Sequence, residues 1–147
     1  MQHWLFKSEP SAWSWAQQLA KAPDCEEWDG VRNYQARNFM RQMQPGDLGF
    51  FYHSQKEKAV VGIVEVCTAA HPDSTTDDKR WECVDIRALR PLARPVSLAE
   101  IKADSRLAEM ALVRNTRLSV QPVRAEEWQV VLELAAETPW PGLTGRQ

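Results

Sequence analysis

The residues whose types and spacing could do chemistry gather in two stretches, Lys7-Ser8-Glu9 and Trp28 to Ser54. In the longer one, Arg32, Asn33, Tyr34 and Gln35 stand where a helix begins. Free backbone N–H groups and the positive end of the helix dipole there favour an anionic or acceptor-rich ligand. Trp28 comes just before them, and Tyr52, His53 and Ser54 close the strand that follows. A large aromatic among several donors suits recognition of a flat polar group. The plainer reading keeps Asn33 as a helix cap and leaves Arg32, Arg37 and Arg41 on a solvated helix face. Lys7 and Glu9 stand at the exit of a first strand, where polar residues either line a site or are simply solvated.

Positioning these groups takes a helix and three strands. Asn33 caps a helix whose apolar residues Ala36, Phe39, Met40 and Met43 recur at i, i+3, i+4 and i+7. Gln44-Pro45-Gly46-Asp47 stops that helix and reverses the chain into a strand over Leu48 to His53. His3 to Lys7 has the aromatic and apolar content of the first strand, and Pro10 forbids its continuation. Ala59 to Val66 reads as a strand buried on both faces, in a hairpin with Leu48 to His53. Gly62 inside it predicts a bulge or a close backbone approach, and Glu65 is a strand-end acid.

Elsewhere, Ser14 with Gln17 and Ser97 with Glu100 form capping boxes that predict short helices over about 15–22 and 98–103. Trp13 and Trp15 read as packing residues. Thr68 to Arg80 is a loop long enough for a lid or binding edge. Trp81 to Leu89 alternates as a half-buried strand, with Val84, Ile86 and Ala88 inside and Cys83, Asp85 and Arg87 outside. Ser105 to Met110 predicts another helical turn, and Arg117 to Val123 a short strand that carries Arg114 and Arg117 toward its partner. Trp128, Val131, Leu132 and Ala135 mark an amphipathic helix. The expectation is one α+β domain over 1–136, a small curved sheet or barrel ringed by short helices, then a loose tail over 137–147.

Composition narrows the function classes. With 147 residues, 44% hydrophobic and 26% charged, the chain can bury a core and falls outside the disordered and fibrous classes. No apolar run approaches the roughly 18–20 residues that span a bilayer, and no secretory leader pattern opens the chain. Cys25, Cys67 and Cys83 make an odd count without CxxC spacing, which argues against a disulfide scaffold and a zinc ribbon and for a reducing cytosol. His3, His53 and His71 are not at metal-ligand spacings, so neither a metal nor a cofactor is expected. The net charge of −2 hides two basic blocks, five Lys/Arg against two acids over 31–58 and eight against four over 83–124. Such a basic face on an acidic body suits a specific, modest contact with a polyanion better than unspecific duplex binding.

In its motifs the chain resembles the EVE domain family, a branch of the PUA-like fold group. The resemblance rests on Trp4-Leu5-Phe6-Lys7-Ser8-Glu9-Pro10, on Trp28-Asp29-Gly30-Val31-Arg32-Asn33-Tyr34-Gln35-Ala36-Arg37-Asn38-Phe39 and on Phe50-Phe51-Tyr52-His53-Ser54. Gly62-Ile63-Val64-Glu65-Val66, Leu112-Val113-Arg114 and Arg117-Leu118-Ser119-Val120 continue it in order. It implies a PUA-like pseudobarrel with a deep pocket, and a non-catalytic module that recognises a modified cytosine or adenine in DNA or RNA. By likeness to the YTH domain, Lys7-Ser8 and Trp28 fall at that pocket. The implied roles are stacking by Trp28 and base-edge bonds from Ser8, Asn33 and Ser54. Tyr34 and His53 would shape the wall, Arg32, Arg114 and Arg117 would meet phosphates, and Glu9, Val31 and Tyr52 complete the set.

The chain departs from the family pattern at His71, where an aromatic is expected, at Trp13, where a Tyr is expected, and at Arg124, where Ser or Thr would cap. It also lacks the basic N-terminal extension of nuclear relatives, which points to a bacterial cytoplasmic protein. Two other readings compete. The related ASCH branch includes amidohydrolases of acylated nucleosides using Lys, Thr and Glu, a set that Lys7, Ser8 and Glu65 would imitate, although adjacent strand residues face opposite ways. An accessory protein-binding module would instead use Trp140 in the tail and an exposed Trp81.

Overall fold

The structure, a computed structural model, describes residues 1–137. The expected tail, with Trp140, lies outside those residues except for Glu137. In chain order the elements are β1 (His3–Ser8), α1 (Trp15–Lys21), β2 (Glu26–Glu27), α2 (Tyr34–Gln42), β3 (Leu48–His53), β4 (Ala59–Val66), β5 (His71–Pro72) and β6 (Glu82–Cys83). Then come β7 (Asp85–Ser97), α3 (Leu98–Ala103), a 3-10 turn (Ser105–Leu107), α4 (Ala111–Arg114), β8 (Val120–Val123) and α5 (Ala125–Leu134).

Six strands form one curved sheet in the order β2-β7-β4-β3-β1-β8. β1 runs parallel to β3, with Lys7 beside Tyr52 and Ser8 beside His53, and every other neighbour in this sheet is antiparallel. Alternation along the central strands feeds two separate cores. From β1 and β3, Leu5, Leu48, Phe50 and Tyr52 face α3, α4 and α5, where Trp128 stacks on Phe50 at 3.9 Å between ring centroids. Trp4, Phe6 and Phe51 point the other way, onto Trp15 of α1, Trp28 and the Ala36–Met40–Met43 stripe of α2. Both faces of the sheet are therefore covered, which is why its strands read as continuous apolar runs.

The local codes hold. Ser14 and Ser97 accept from the backbone of Gln17 and Glu100 in reciprocal capping boxes, and Asn33 accepts from Ala36 N–H at 2.9 Å. At Arg124, where a Ser or Thr cap is missing, Glu127 alone closes the α5 start by accepting from Arg124 N–H at 2.9 Å. Gly62 serves both expected purposes. The β4 to β7 register shifts on either side of it, and a Cβ there would lie 2.3 Å from Trp15 Cζ2.

Three expectations change. The strand expected over Trp81 to Leu89 is two strands, β6 and a 13-residue β7 that continues through Pro91 and Pro95. β2 borders β7 only at Asp85 and Ile86, so further along the outer edge has no ladder for the prolines to break. Cys83 is fully buried rather than outward-facing, because β5 pairs across it within the long loop. Cys25 and Cys67 form a disulfide, against the expectation from their count and spacing. They are 42 residues apart, but each lies at one end of neighbouring strand paths, Cys25 before β2 and Cys67 after β4, with β7 between.

Candidate nucleic-acid-binding pocket

Where β1 ends, the chain breaks away at Pro10 and the segment from β2 to Arg32 crosses beside it, and between them opens a cavity of about 460 Å³. Trp28 lines it, 9% exposed, held edge-on by Phe6 at 5.3 Å and Phe51 at 5.7 Å and by its backbone N–H on Val84 O at 2.9 Å. Gly30, at φ +79°, turns the chain in the left-handed region, and its N–H donates to Asp73 Oδ2 at 2.8 Å.

Asp73 is the fastening point between this wall and the long loop. It also accepts from Arg32 Nη1 at 3.1 Å and from the Thr75 N–H at 2.8 Å and hydroxyl at 2.5 Å. Burial alone would raise its carboxyl, but these hydrogen bonds prevail and hold it at about 2. Arg32 is thereby fixed, with its guanidinium 5.5 Å above the Trp81 ring. Trp81 in turn stacks on Tyr34 at 4.9 Å and is half-buried rather than exposed.

The cavity has a mixed electrostatic lining. Lys7 and Arg32 share it with Glu9, Glu26, Glu27 and Asp29. The Lys7 amine donates to Thr116 O at 2.8 Å, and burial lowers its pKa. Burial, then the charges of Asp73, Glu27 and Glu26, push the Asp29 carboxyl up against the opposing pull of Arg32. A ligand here meets an aromatic wall, one amine and several acceptors, a combination matched to a heterocycle that both stacks and donates.

Of the residues expected at a site, Lys7, Ser8, Glu9, Trp28, Val31 and Arg32 line the cavity together. Within that lining, Ser8 Oγ donates to Trp13 O, so that hydroxyl is engaged by the chain itself. The other expected residues take different places. Asn33 is occupied in capping α2, and Tyr34 lies on the surface, its hydroxyl accepting from Arg80 at 3.3 Å. Tyr52 belongs to the opposite core, where burial pushes its phenol up to about 12. His53 Nε2 accepts from Trp15 N–H at 3.0 Å, and Ser54 N–H donates to Ser8 O at 3.0 Å, so both fix the frame behind the cavity. Arg114 and Arg117 are exposed outside it, Arg114 lying 3.9 Å from Glu109. Glu65 pairs with Leu48, which lies beside His3 at the far end of β1 from Lys7 and Ser8. It is ion-paired to Arg87 at 2.5 Å, so a Lys7–Ser8–Glu65 set is not assembled.

Sequence reasoning missed Trp13, Glu26, Glu27, Asp29 and Ser119 in the lining. Trp13 supplies a second aromatic, oriented by its indole N–H on Gln18 Oε1 at 2.8 Å, and its place three residues after the strand-ending Pro10 was the available signal. His71, where the family pattern has an aromatic, is not among the lining residues. It bonds Asp85 at 2.7 Å. Glu27, His71 and Cys83 also bring one potential ligand atom each to within 4.8 Å of one another, a grouping that spacing along the chain conceals.

The fold has close parallels. A protein from Agrobacterium tumefaciens is 54% identical and superposes with a TM-score of 0.94, covering 96% of this chain and 97% of that one. The human THYN1 protein, solved in complex with 5-methylcytosine-containing DNA, is 35% identical with a TM-score of 0.86, over 95% of this chain and all of that one. In sequence, human thymocyte nuclear protein 1 is 36% identical over 93% of this chain and 75% of its own length. A Zymomonas mobilis ASCH protein, at 12% identity and a TM-score of 0.56, shares the fold alone. The profile of the EVE domain matches residues 2–134. With that match over nearly the whole described chain, the PUA-like curled sheet and the relatives' agreement, this chain belongs to the EVE domain family.

Proposed function

We propose that this EVE domain binds nucleic acid by drawing one modified base, 5-methylcytosine in DNA first among the candidates, into the cavity between β1 and Trp28, without altering it chemically. The observation that carries this reading is the cavity itself. About 460 Å³ is room for one extruded base, and Trp28 and Trp13 offer faces for it. The carboxylates on its wall match the amino edge of a cytosine, for which Asp and Glu are the acceptors of choice. The 5-methylcytosine DNA bound by the human THYN1 protein puts the same class of ligand on the same fold.

Arg32 stands at the rim, from which it meets the backbone of the flanking nucleotides. Adenine modifications and RNA are the further candidates, to be separated by measurement. Fluorescence anisotropy with labelled oligonucleotides, DNA and RNA, each with and without the modified base, tests the reading. Preference for one modified base over its parent is expected, with the base recovered intact. Trp28→Ala should weaken binding by ~1–3 kcal/mol, the worth of one base stack. Equal affinity for modified and parent strands, or unchanged binding by a folded Trp28→Ala, would overturn it.

A further inference from the structure

Beside the cavity, three two-residue strands and the start of β7 bring Glu27, His71, Cys83 and Asp85 to one spot. The register makes this convergence: Glu27 is paired with Asp85, and His71 with Cys83. We propose that Glu27, His71 and Cys83 form a binding site for a zinc-like divalent cation, oriented by Asp85 and sharing Glu27 with the wall of the cavity.

The hydrogen bonds around His71 carry the argument. Its Nε2 lies 2.7 Å from Asp85 Oδ1, which leaves Nδ1 as the ring nitrogen turned toward Glu27 and Cys83. Nδ1 faces the Pro72 carbonyl at 2.9 Å and Glu27 Oε2 at 3.8 Å, both of which are acceptors. A positive charge between these acceptors reconciles them, a second proton on the imidazole or a metal ion in its place. The thiol of Cys83 is the fourth group. It is fully buried, it has no hydrogen-bond partner among the described residues, and it lies within 4.8 Å of the other two ligand atoms. Burial and the charges of Glu27, Asp73, Asp85 and Asp29 surround that thiol with negative potential, which a divalent cation would neutralise.

The ligand types select the ion. One sulfur, one imidazole and one carboxylate fit zinc and its neighbours, whereas magnesium and calcium want oxygen alone. Bonds of about 2.0–2.3 Å put tetrahedral ligand atoms roughly 3.3–3.8 Å apart, so small side-chain rotations close the site. Asp85 on the far nitrogen of His71 is the carboxylate partner that metal-bound histidines usually have. The other oxygen of Glu27 is already held by the Ser74 hydroxyl at 2.5 Å. On binding, the Cys83 Sγ–H bond breaks, its proton goes to solvent and its electron pair goes to the metal. His71 and Glu27 keep partial solvent contact, which gives the ion its way in.

The test uses cobalt(II) as the probe, added to the intact chain after chelator dialysis and without thiol reductant, so that Cys25 and Cys67 stay joined. One equivalent should give a thiolate-to-cobalt charge-transfer band with the intense visible bands of tetrahedral cobalt, both bleached by one equivalent of zinc. Cys83→Ser should abolish the charge-transfer band, and the half-exposed His71→Gln should weaken cobalt affinity at least tenfold. Circular dichroism confirms that each variant is folded, and His71→Gln decides alone if Cys83→Ser is not. Only faint octahedral bands, or a charge-transfer band unchanged in both variants, would overturn the proposal. Base binding is measured separately by anisotropy, so either conclusion can fail while the other stands.

Discussion

Gly62→Ala should destabilise the protein, although the same change on an open strand normally helps. Adding a Cβ removes freedom from the unfolded chain and is worth about 0.4–1 kcal/mol where the native backbone accepts it. Here the new carbon would lie 2.3, 2.4 and 2.6 Å from Cζ2, Cη2 and Cε2 of Trp15. Ordinary contact begins at 3.4 Å, so the indole must retreat by roughly 1 Å. It has little room, because Trp15 is buried and Phe51 stands edge-on behind it at 5.3 Å. Overpacking of this kind costs about 1–3 kcal/mol, which exceeds the entropic gain. The net expectation is a loss of about 1–2 kcal/mol, read as a lower urea midpoint at unchanged slope, and a melting point lower by roughly 2–8 °C. In a Trp15→Leu background the obstacle is gone, and adding Gly62→Ala should be neutral or stabilising by up to about 1 kcal/mol. A Gly62→Ala protein as stable as the parent, or an equal penalty in both backgrounds, would refute the close-approach explanation for this glycine.

Asp73→Ala removes the acceptor for the Gly30 N–H, Arg32 and Thr75, and should cost about 3 kcal/mol in urea unfolding and also weaken nucleic-acid binding; full affinity would mean that the loop clamp does not shape the pocket. Tyr52 should ionise only near pH 12, while the unfolded chain does so near 10, so its contribution to stability is intact below pH 10 and is lost as pH rises to about 12. Alkaline absorbance titration checks this, since Tyr52 is one of two tyrosines, and release of both near pH 10 with the fold intact would contradict it. Reducing the Cys25–Cys67 bond, which closes a loop of 42 residues, should lower stability by about 4 kcal/mol on the loop-entropy relation, measured by urea unfolding with and without reductant. An unchanged midpoint would show that β2 and β4 are held together without it.

How much was legible in the sequence depends on the reach of each interaction. Ser14 with Gln17, Ser97 with Glu100 and the Asn33 cap close within three residues, so sequence alone placed α1, α2 and α3. The apolar runs of β3 and β4 announced a hairpin, since so short a connection permits only antiparallel pairing. The motif order identified the family, and with it the cavity wall at Lys7, Ser8 and Trp28.

What no local pattern encodes is which strands become neighbours. The parallel pairing of β1 with β3 turned Tyr52 into the far core and left His53 and Ser54 as braces instead of wall. The run of β7 through two prolines was hidden because their tolerance depends on an open sheet edge. Glu26 and Glu27 carry no local pattern that marks a site, and only the pairing of β2 with β7 sets them at the cavity. The same neighbourhood brought Cys25 to Cys67, and Glu27 to His71 and Cys83, across separations that spacing rules do not span. Local hydrogen bonds and side-chain periodicity are written in adjacent residues. Convergence of distant side chains is decided only when the whole sheet is ordered and both of its faces are covered.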